Sequence, residues 1–180
     1  MPDWGKRMAL QIKKGDLFDH LSNPCLIAHG CNAQGKMNSG FAKQIRLRFP
    51  LAYMAYREDW ANGDTVLGSV GFVRCEDSIT IANCTTQVYY GRTPGVKYAS
   101  LDAVVTCLNT VVNYVKKLPS PILLPLIGGG LGGLDSDELI SKFKEIFDDV
   151  DATLWLKEKH DVPNSYAQRA RNRLRSGPEA

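Results

Sequence analysis

Several features are scarce or missing in this 180-residue sequence, and each absence narrows the class of protein. No apolar run approaches the roughly 18 to 20 residues that a membrane span requires, and residues 1–11 lack the apolar core of a signal peptide. Aromatic residues make up only 9% of the chain and charged residues 23%, against 44% hydrophobic residues. This balance predicts one cytoplasmic globular domain with its own core, and not a disordered, fibrous or membrane protein.

Metal ligands and disulfide pairs are also scarce. The chain has five cysteines, an odd number without any C-x-x-C pair, and only three histidines. A zinc site needs three or four such ligands close together, and only His29 and Cys31 are near neighbours in sequence. We therefore expect no metal, no cofactor and no disulfide framework, and we expect most of the cysteines to be buried as small apolar side chains.

The net charge of +3 is concentrated at the carboxyl terminus. Residues 158–180 carry five basic and three acidic side chains, which leaves a net charge of only +1 for the rest of the chain. A net charge this close to zero over residues 1–157 is not typical of a protein that binds long nucleic acid. We predict that any nucleic-acid contact is confined to this basic tail, for which a short solvated helix is one interpretation.

Strand and helix patterns alternate along the remainder of the chain. The predicted strands are 8–13, 25–28, 68–74, 78–83, 121–127 and 152–156, and the predicted helices are 39–49, 51–60, 100–117 and 135–147. Residues 85–96 carry no regular pattern, and Pro125 indicates an edge or atypical position for its strand. The alternation predicts an α/β fold of three layers, in which helices cover both faces of a mixed central sheet.

Two glycine-rich loops each follow a predicted strand and precede a helix. The first glycine loop spans residues 35–40, and the second spans residues 128–133, where five of six residues are glycine. Backbone N–H groups at such junctions favour anions, so two loops in one small sheet indicate a ligand with two phosphates. Tight turns are the alternative explanation. The second loop also satisfies G-x-G-x-x-G, but too little chain follows it to complete a Rossmann sheet.

Three polar residues near the predicted strand ends could carry chemistry, and each has a structural alternative. Asp16 could accept a hydrogen bond from an exocyclic amine such as adenine N6, or it could cap a turn. His29 could act as a general acid or base near neutral pH, or it could be a satisfied structural residue. Asn32 could hold a sugar hydroxyl or cap a turn. The residues alone leave these alternatives open.

Five motifs, taken in order, resemble the macro domain family. They are K-G-D-L-F at 14–18, L-I-A-H-G-C-N-A-Q-G at 26–35, S-G-F-A at 39–42, N-C-T-T-Q-V-Y-Y-G-R at 83–92 and L-I-G-G-G-L-G-G at 126–133. The resemblance covers about residues 8–157. It is strongest to the branch of the yeast-type ADP-ribose 1''-phosphate phosphatases, their bacteriophage and bacterial relatives, and the terminal ADP-ribose protein glycohydrolase.

The resemblance implies an ADP-ribose site. It implies that Asp16 and the backbone of Leu17 meet adenine, and that Asn32 holds the distal ribose. The phosphate-binding residues that it implies are Ser39, Gly40, Phe41 and Ala42 in the first loop, and Gly128, Gly129, Gly130, Leu131 and Gly132 in the second. Tyr90 and Arg92 would reach the terminal phosphate. Leu131 stands where many relatives place an aromatic side chain against the distal ribose.

Two departures from the glycohydrolase pattern favour phosphatase chemistry. The lysine of that branch is replaced within Thr85–Val88, and its loop aspartate is missing from Gly130-Leu131-Gly132. His29 matches the histidine proposed to act in the yeast-type phosphatases, and Asp135 is the nearest carboxylate that could orient water, a helix cap being its alternative role.

The expected function is therefore hydrolysis of ADP-ribose 1''-phosphate to ADP-ribose and phosphate, with His29, Asn32 and Asp135 as the catalytic residues. The alternatives are a non-catalytic reader of ADP-ribose and a hydrolase of ADP-ribosyl esters on proteins. The expected partners are ADP-ribose or its 1''-phosphate and ADP-ribosylated proteins, with no membrane.

Overall fold

The computed structural model describes residues 9–157, so the predicted basic tail at 158–180 lies outside the described residues. The strands are β1 (Gln11–Lys14), β2 (Cys25–Asn32), β3 (Val70–Arg74), β4 (Ile79–Gln87), β5 (Ile122–Pro125) and β6 (Ala152–Leu156). The helices are α1 (Gly40–Arg48), α2 (Pro50–Ala61), α3 (Leu101–Lys117) and α4 (Ser136–Ile146). Short 3-10 turns occupy Leu17–Asp19, Glu76–Ser78 and Gly130–Gly132.

The six strands form one mixed sheet in the order β1-β6-β5-β2-β4-β3. All neighbours pair in parallel except β3, which runs antiparallel to β4 after the tight turn at Glu76–Ser78. The carboxyl ends of the five parallel strands therefore emerge along one side of the sheet, which we call the carboxyl edge. Ligand sites in α/β proteins gather at such an edge.

Alternate residues of the strands supply two separate cores. Leu26 and Ala28 of β2 face α3 and α4, where they pack in one cluster with Val111 and Phe143. Ile27 faces the opposite side and belongs to a second cluster that contains residues of α1 and α2. Both faces of the sheet are thus covered by helices, which confirms the predicted three-layer α/β arrangement.

Two strands run further than their sequence patterns predicted. β2 continues past Ala28 to Asn32, and β4 continues to Gln87, because the two strands pair with each other along this entire length. Residues 29–32 therefore lie inside the sheet and not in a loop after it. For Pro125 the prediction was an edge or atypical position, and the edge alternative is wrong because β5 lies between β6 and β2. Pro125 is the last residue of β5 and pairs only with β6, so its missing N–H removes no bond to β2.

The helices differ in how their first turns are capped. The Ser100 side chain accepts a hydrogen bond from the Ala103 N–H at 3.3 Å at the start of α3, and Asp135 accepts one from the Glu138 N–H at 2.9 Å at the start of α4. Ser39 occupies the corresponding position of α1, but its hydroxyl makes no capping bond. Within residues 9–157, no helix combines the length and the apolar character needed to cross a bilayer.

We predict that Ser100→Ala lowers the free energy of unfolding by about 1 kcal/mol, because it removes the cap of α3. Ser39→Ala is the matched control and should change the same quantity by less than about 0.5 kcal/mol, since no capping bond is lost. Urea denaturation of both variants checks the difference. Equal losses would show that Ser39 caps α1 in solution.

Candidate functional site

The predicted site residues lie along the carboxyl edge in the order of the strands. Asp16 follows β1, the second glycine loop follows β5, the first glycine loop follows β2, and residues 88–98 follow β4. Four strand spacings separate β1 from β4, which gives a span of about 19 Å. The two glycine loops lie in the middle of this span, as neighbours.

The two glycine loops lie near each other at the carboxyl edge. A Cβ atom built on Gly40 would lie 3.9 Å from Cδ1 of Leu131, so the start of α1 lies near the tip of the second loop. Gly130 has φ of 54°, and a Cβ atom there would meet no other atom within 4 Å. The Leu131 side chain is 46% exposed. The region between the loops therefore lies at the surface and borders open space.

Both loops present backbone N–H groups that have no partner among the described residues. In the first turn of α1 these belong to Gly40, Phe41 and Ala42, since the first bond is donated by Lys43 to the Ser39 carbonyl. In the second loop the N–H groups of Gly130 and Leu131 likewise donate no bond. Unpaired donors at the positive end of a helix attract anions, and here a second set of donors lies beside them.

The second glycine loop is held in place by its own backbone and by the chain before α3. Leu134 N–H donates to the Gly128 carbonyl at 3.0 Å, and Gly132 N–H donates to the Gly129 carbonyl at 2.9 Å. The Gly132 carbonyl accepts from the N–H groups of Tyr98 and Ala99 at 2.9 and 3.0 Å. These bonds fix the loop before any ligand arrives, so its free donors are pre-organised.

Asp16 lies at the β1 end of the edge and caps the 3-10 turn that follows it. Its Oδ1 accepts a hydrogen bond from the Phe18 N–H at 2.9 Å, and Leu17 is buried beneath the turn. The other carboxylate oxygen has no hydrogen-bond partner among the described residues and remains able to accept one. The Phe18 ring stacks on Phe41 with centroids 5.0 Å apart, which connects this end of the edge to α1.

His29 lies in the middle of β2, and its side chain is 0% exposed. Its Nε2 donates to Oδ1 of Asn83 on β4 at 2.6 Å, and Nδ2 of Asn83 donates to the Ala52 carbonyl of α2 at 3.1 Å. Burial away from water lowers the pKa of His29 to about 4, although the bond to Asn83 raises it. The imidazole is therefore neutral at pH 7 and ties together two strands and a helix, which favours the structural alternative.

Asn32 ends β2 and organises the first glycine loop. Its Nδ2 donates to the Lys36 carbonyl at 2.8 Å, while its Oδ1 accepts from the Gln34 N–H at 3.0 Å and from the Tyr56 hydroxyl at 2.9 Å. Burial is the main cause that raises the pKa of Tyr56, so this hydroxyl stays protonated as a donor. An amide nitrogen carries two hydrogens, so Asn32 keeps one donor for a ligand.

Of the remaining predicted residues, two lie on the segment after β4 and one lies at the start of α4. Tyr90 is half exposed, and its N–H donates to Oε1 of Gln34 at 3.1 Å, which ties residues 88–98 to the first glycine loop. Arg92 is exposed on the same segment. Asp135 is exposed and caps α4 through one oxygen, and the other oxygen has no partner among the described residues.

Two residues that order the site were missed at the level of sequence. Gln34 bridges the first glycine loop to residues 88–98, and Tyr56 of α2 holds Asn32. The signal for Tyr56 was present, because it lies one helical turn after Ala52 on the buried face of α2, where a hydroxyl needs a partner. No local signal identified Gln34. Over residues 9–157, no three His, Cys, Asp or Glu side chains come together as a metal-ion site.

Comparison with known structures identifies the fold. The macrodomain of Thermus aquaticus DarG superposes with a TM-score of 0.69 at 25% identity, over 83% of this chain and 97% of that chain. The chain has the macro domain fold. No protein-family model matches the sequence.

Two curated proteins are similar to parts of this macro domain. A DNA ADP-ribosyl glycohydrolase of Mycobacterium tuberculosis is 29% identical over 131 residues, which are 69% of this chain and 36% of that protein. The chain thus matches about a third of the length of that relative. An ADP-ribose 1''-phosphate phosphatase of Scheffersomyces stipitis is 43% identical over 47 residues, which are 24% of this chain and 27% of that protein.

The burial of His29 predicts a specific dependence of stability on pH. The folded-state pKa of about 4 lies below the ordinary value of 6.5, so the unfolded chain binds the proton more readily. His29 therefore contributes its full stabilisation above pH 6.5 and loses it as the pH falls toward 4. We expect this residue to account for about 2–3 kcal/mol of lost stability between pH 7 and pH 4.5.

Urea denaturation at both pH values, in wild type and His29→Gln, measures this loss. The variant should be less stable at pH 7 but should lose less stability on acidification, because the titrating ring is gone. His20→Gln removes an exposed histidine and serves as the control. Parallel acid dependence in wild type and His29→Gln would contradict the burial of a neutral ring.

Proposed function

We propose that this macro domain binds ADP-ribose along its carboxyl edge and hydrolyses a bond at the distal ribose, with ADP-ribose 1''-phosphate as its first candidate substrate. The observation that carries the proposal is that the start of α1 and the second glycine loop, each with unpaired N–H groups, lie near each other. A diphosphate seated there gains donors from both sides and the positive end of α1. Ordinary strand-to-helix turns do not require two such sets near each other.

The residues on either side of the two glycine loops can bind the adenine and the distal ribose of ADP-ribose. At the β1 end, the free oxygen of Asp16 can accept from adenine N6, beside the backbone of Leu17. On the side toward β4, at the end of β2, the remaining Nδ2 hydrogen of Asn32 can donate to a hydroxyl of the distal ribose. The span of about 19 Å between β1 and β4 leaves the diphosphate over the two glycine loops.

Hydrolysis of the 1''-phosphate requires attack of water on phosphorus and transfer of a proton away from that water. The P–O bond to the ribose breaks, and the sugar oxygen takes up a proton as free phosphate is released. We assign the activation of the water to Asp135, whose second oxygen has no partner among the described residues. We assign the binding of the transferred phosphoryl group to Tyr90 and Arg92. His29 serves as a positioning residue, since its only ring hydrogen is donated to Asn83.

A second candidate reaction is the removal of ADP-ribose from a macromolecule. It is favoured by the length of the matches, because the DNA ADP-ribosyl glycohydrolase matches 131 residues and the phosphatase matches 47. Against it, Thr85, Thr86 and Gln87 supply no lysine at the end of β4. Release of ADP-ribose from a modified oligonucleotide or a modified carboxylate, without release of phosphate from the 1''-phosphate, would select this reaction.

Gly130→Val tests the diphosphate site. The new side chain projects into the open space beside the unpaired donors, so we expect ADP-ribose affinity, measured by calorimetry, to fall by tenfold or more. Gly63→Val is the matched control, because Gly63 also has positive φ, 79°, and open space around its Cβ position, but lies at the end of α2. Both variants should lose about 1–2 kcal/mol of stability through backbone strain. Equal affinities would place the diphosphate elsewhere.

Asp135→Asn separates catalysis from binding. Asparagine caps a helix as well as aspartate does, so α4 should keep its stability while the carboxylate is lost. We expect phosphate release from ADP-ribose 1''-phosphate to fall by a factor of 10² to 10⁴, with ADP-ribose affinity unchanged.

His29→Gln provides the comparison for that experiment. If His29 only positions β2, phosphate release should fall by less than tenfold. A loss as large as that of Asp135→Asn, in a folded variant that binds ADP-ribose, would restore the catalytic role that the sequence predicted for the histidine. Binding by wild type without any release would make the domain a reader of ADP-ribose.

A further inference from the structure

Two adjacent threonines near the end of β4 are equally buried but differ in their hydrogen bonds. Thr85 and Thr86 are each 2% exposed. The Thr85 Oγ1 lies 3.3 Å from Oγ of Ser69, whereas the Thr86 hydroxyl makes no hydrogen bond to any residue that the structure describes. Buried hydroxyl groups almost always have a partner, so an exception calls for an explanation.

The Thr86 hydroxyl can be reached from outside the protein. Within residues 9–157, Trp155 Nε1 is the one side-chain nitrogen or oxygen that is both fully enclosed and without a partner. The Thr86 oxygen also lacks a partner, so it is not fully enclosed. A ligand can therefore supply the hydrogen bond that the protein does not.

A β-bulge sets the direction of the Thr86 side chain. In the parallel pairing of β2 with β4, Cys31 is opposite Thr85, and the next residue, Asn32, is opposite Gln87. Thr86 is therefore the extra residue of β4. A bulge turns the side chain of the extra residue away from the regular alternation, and bulges are common beside functional sites.

The Thr86 hydroxyl borders a narrow opening over β2. A Cβ atom built on Gly30 would lie 3.0 Å from Oγ1 of Thr86 and 3.2 Å from Cγ2 of Ile127. β2 is buried at every residue except Gly30, which is partly exposed. A glycine inside a strand is typical of places where a ligand approaches the backbone closely. The opening thus has a polar wall at Thr86 and an apolar wall at Ile127.

This opening lies between two parts of the proposed ADP-ribose site. The Thr86 carbonyl accepts a hydrogen bond from the Ser100 N–H at 2.8 Å, and the N–H of the preceding residue, Ala99, donates to the Gly132 carbonyl at 3.0 Å. Thr86 and the second glycine loop are therefore held by adjacent residues of one segment. On the other side, Asn32 ends β2 roughly 7 Å beyond the opening.

We propose that the Thr86 hydroxyl bonds to a hydroxyl of the distal ribose, and that this contact makes the site select ADP-ribose over ADP. The inference rests on the ADP-ribose binding put forward under Proposed function and adds a specificity-determining residue to it. A threonine hydroxyl donates one hydrogen bond and also accepts, as a sugar hydroxyl does. ADP ends at the diphosphate and leaves the Thr86 hydroxyl without a partner from protein or ligand.

Calorimetric titration of the full chain with ADP-ribose and with ADP tests this contact. Thr86→Val replaces the hydroxyl by a methyl group of similar shape. We expect its affinity for ADP-ribose to fall about fivefold, which corresponds to one hydrogen bond, while its affinity for ADP stays unchanged. Thr86→Ser keeps the hydroxyl and should keep the wild-type ratio of the two affinities.

Thr85→Val is the matched control, because Thr85 is equally buried but lines a different cleft, between α2 and β3. It removes a hydroxyl that is bonded to Ser69, so the Tm should fall while the ratio of the two affinities stays at the wild-type value. Thr86→Val should leave the Tm unchanged or raise it, since no hydrogen bond within the protein is lost.

Three results would overturn this inference alone, provided that wild type binds ADP-ribose. An equal fall in the affinities of Thr86→Val for ADP and ADP-ribose would place the hydroxyl at the diphosphate. Unchanged affinities for both ligands would show that it contacts neither. A loss of Tm in Thr86→Val as large as that of Thr85→Val would show that its partner lies within the protein. Failure of wild type to bind ADP-ribose would instead overturn the proposed function, and the inference with it.

Discussion

The parallel pairing of β2 with β4 is the constraint on which the candidate site depends. The pairing runs from Cys25 opposite Ile79 to Asn32 opposite Gln87, and it contains a buried hydrogen bond between His29 and Asn83. A buried imidazole and a buried amide are each costly without a partner, so they favour this register over a shifted one. The first glycine loop and residues 88–98 both start where this pairing stops, which places them side by side.

The same constraint explains how the candidate anion site is built from backbone donors. α1 begins after the loop that Asn32 organises, and its first turn is left uncapped although Ser39 occupies the capping position. The second glycine loop lies against this turn because the residues before α3 hold Gly132 from the other side. The fold therefore lacks the stabilisation of one helix-capping hydrogen bond, and the first N–H groups of α1 stay unpaired at a fixed position. The dipoles of these backbone N–H groups then contribute positive potential at the candidate site, although residues 1–157 have a net charge of only +1.

The sequence predicted the parts of this arrangement that are local and missed the parts that are not. Helix positions, the turn after β3 and both glycine loops follow from periodicity, capping residues and glycine content over a few neighbours. β2 beyond Ala28 was not recognised as strand, because His29, Gly30 and Asn32 are atypical of strands and their partners lie on β4 and α2. Likewise, the polar alternatives for His29 could not be separated, since its burial depends on Asn83, 54 residues away.

The net charge of the chain does not describe any one surface, because it averages over surfaces that the fold keeps apart. The acidic side chains of Asp59 and Asp64 line a cleft between α2 and β3, where burial and the neighbouring carboxylates Asp64 and Glu58 raise the pKa of Asp59. Residues 79–101, by contrast, carry two cations and no carboxylate. The carboxyl edge is bordered by residues 88–98 of this second segment, and it also carries the carboxylates of Asp16 and Asp135. At about 0.15 M salt, charges more than about 8 Å away are largely screened, so the local sign of charge decides which partner this edge attracts.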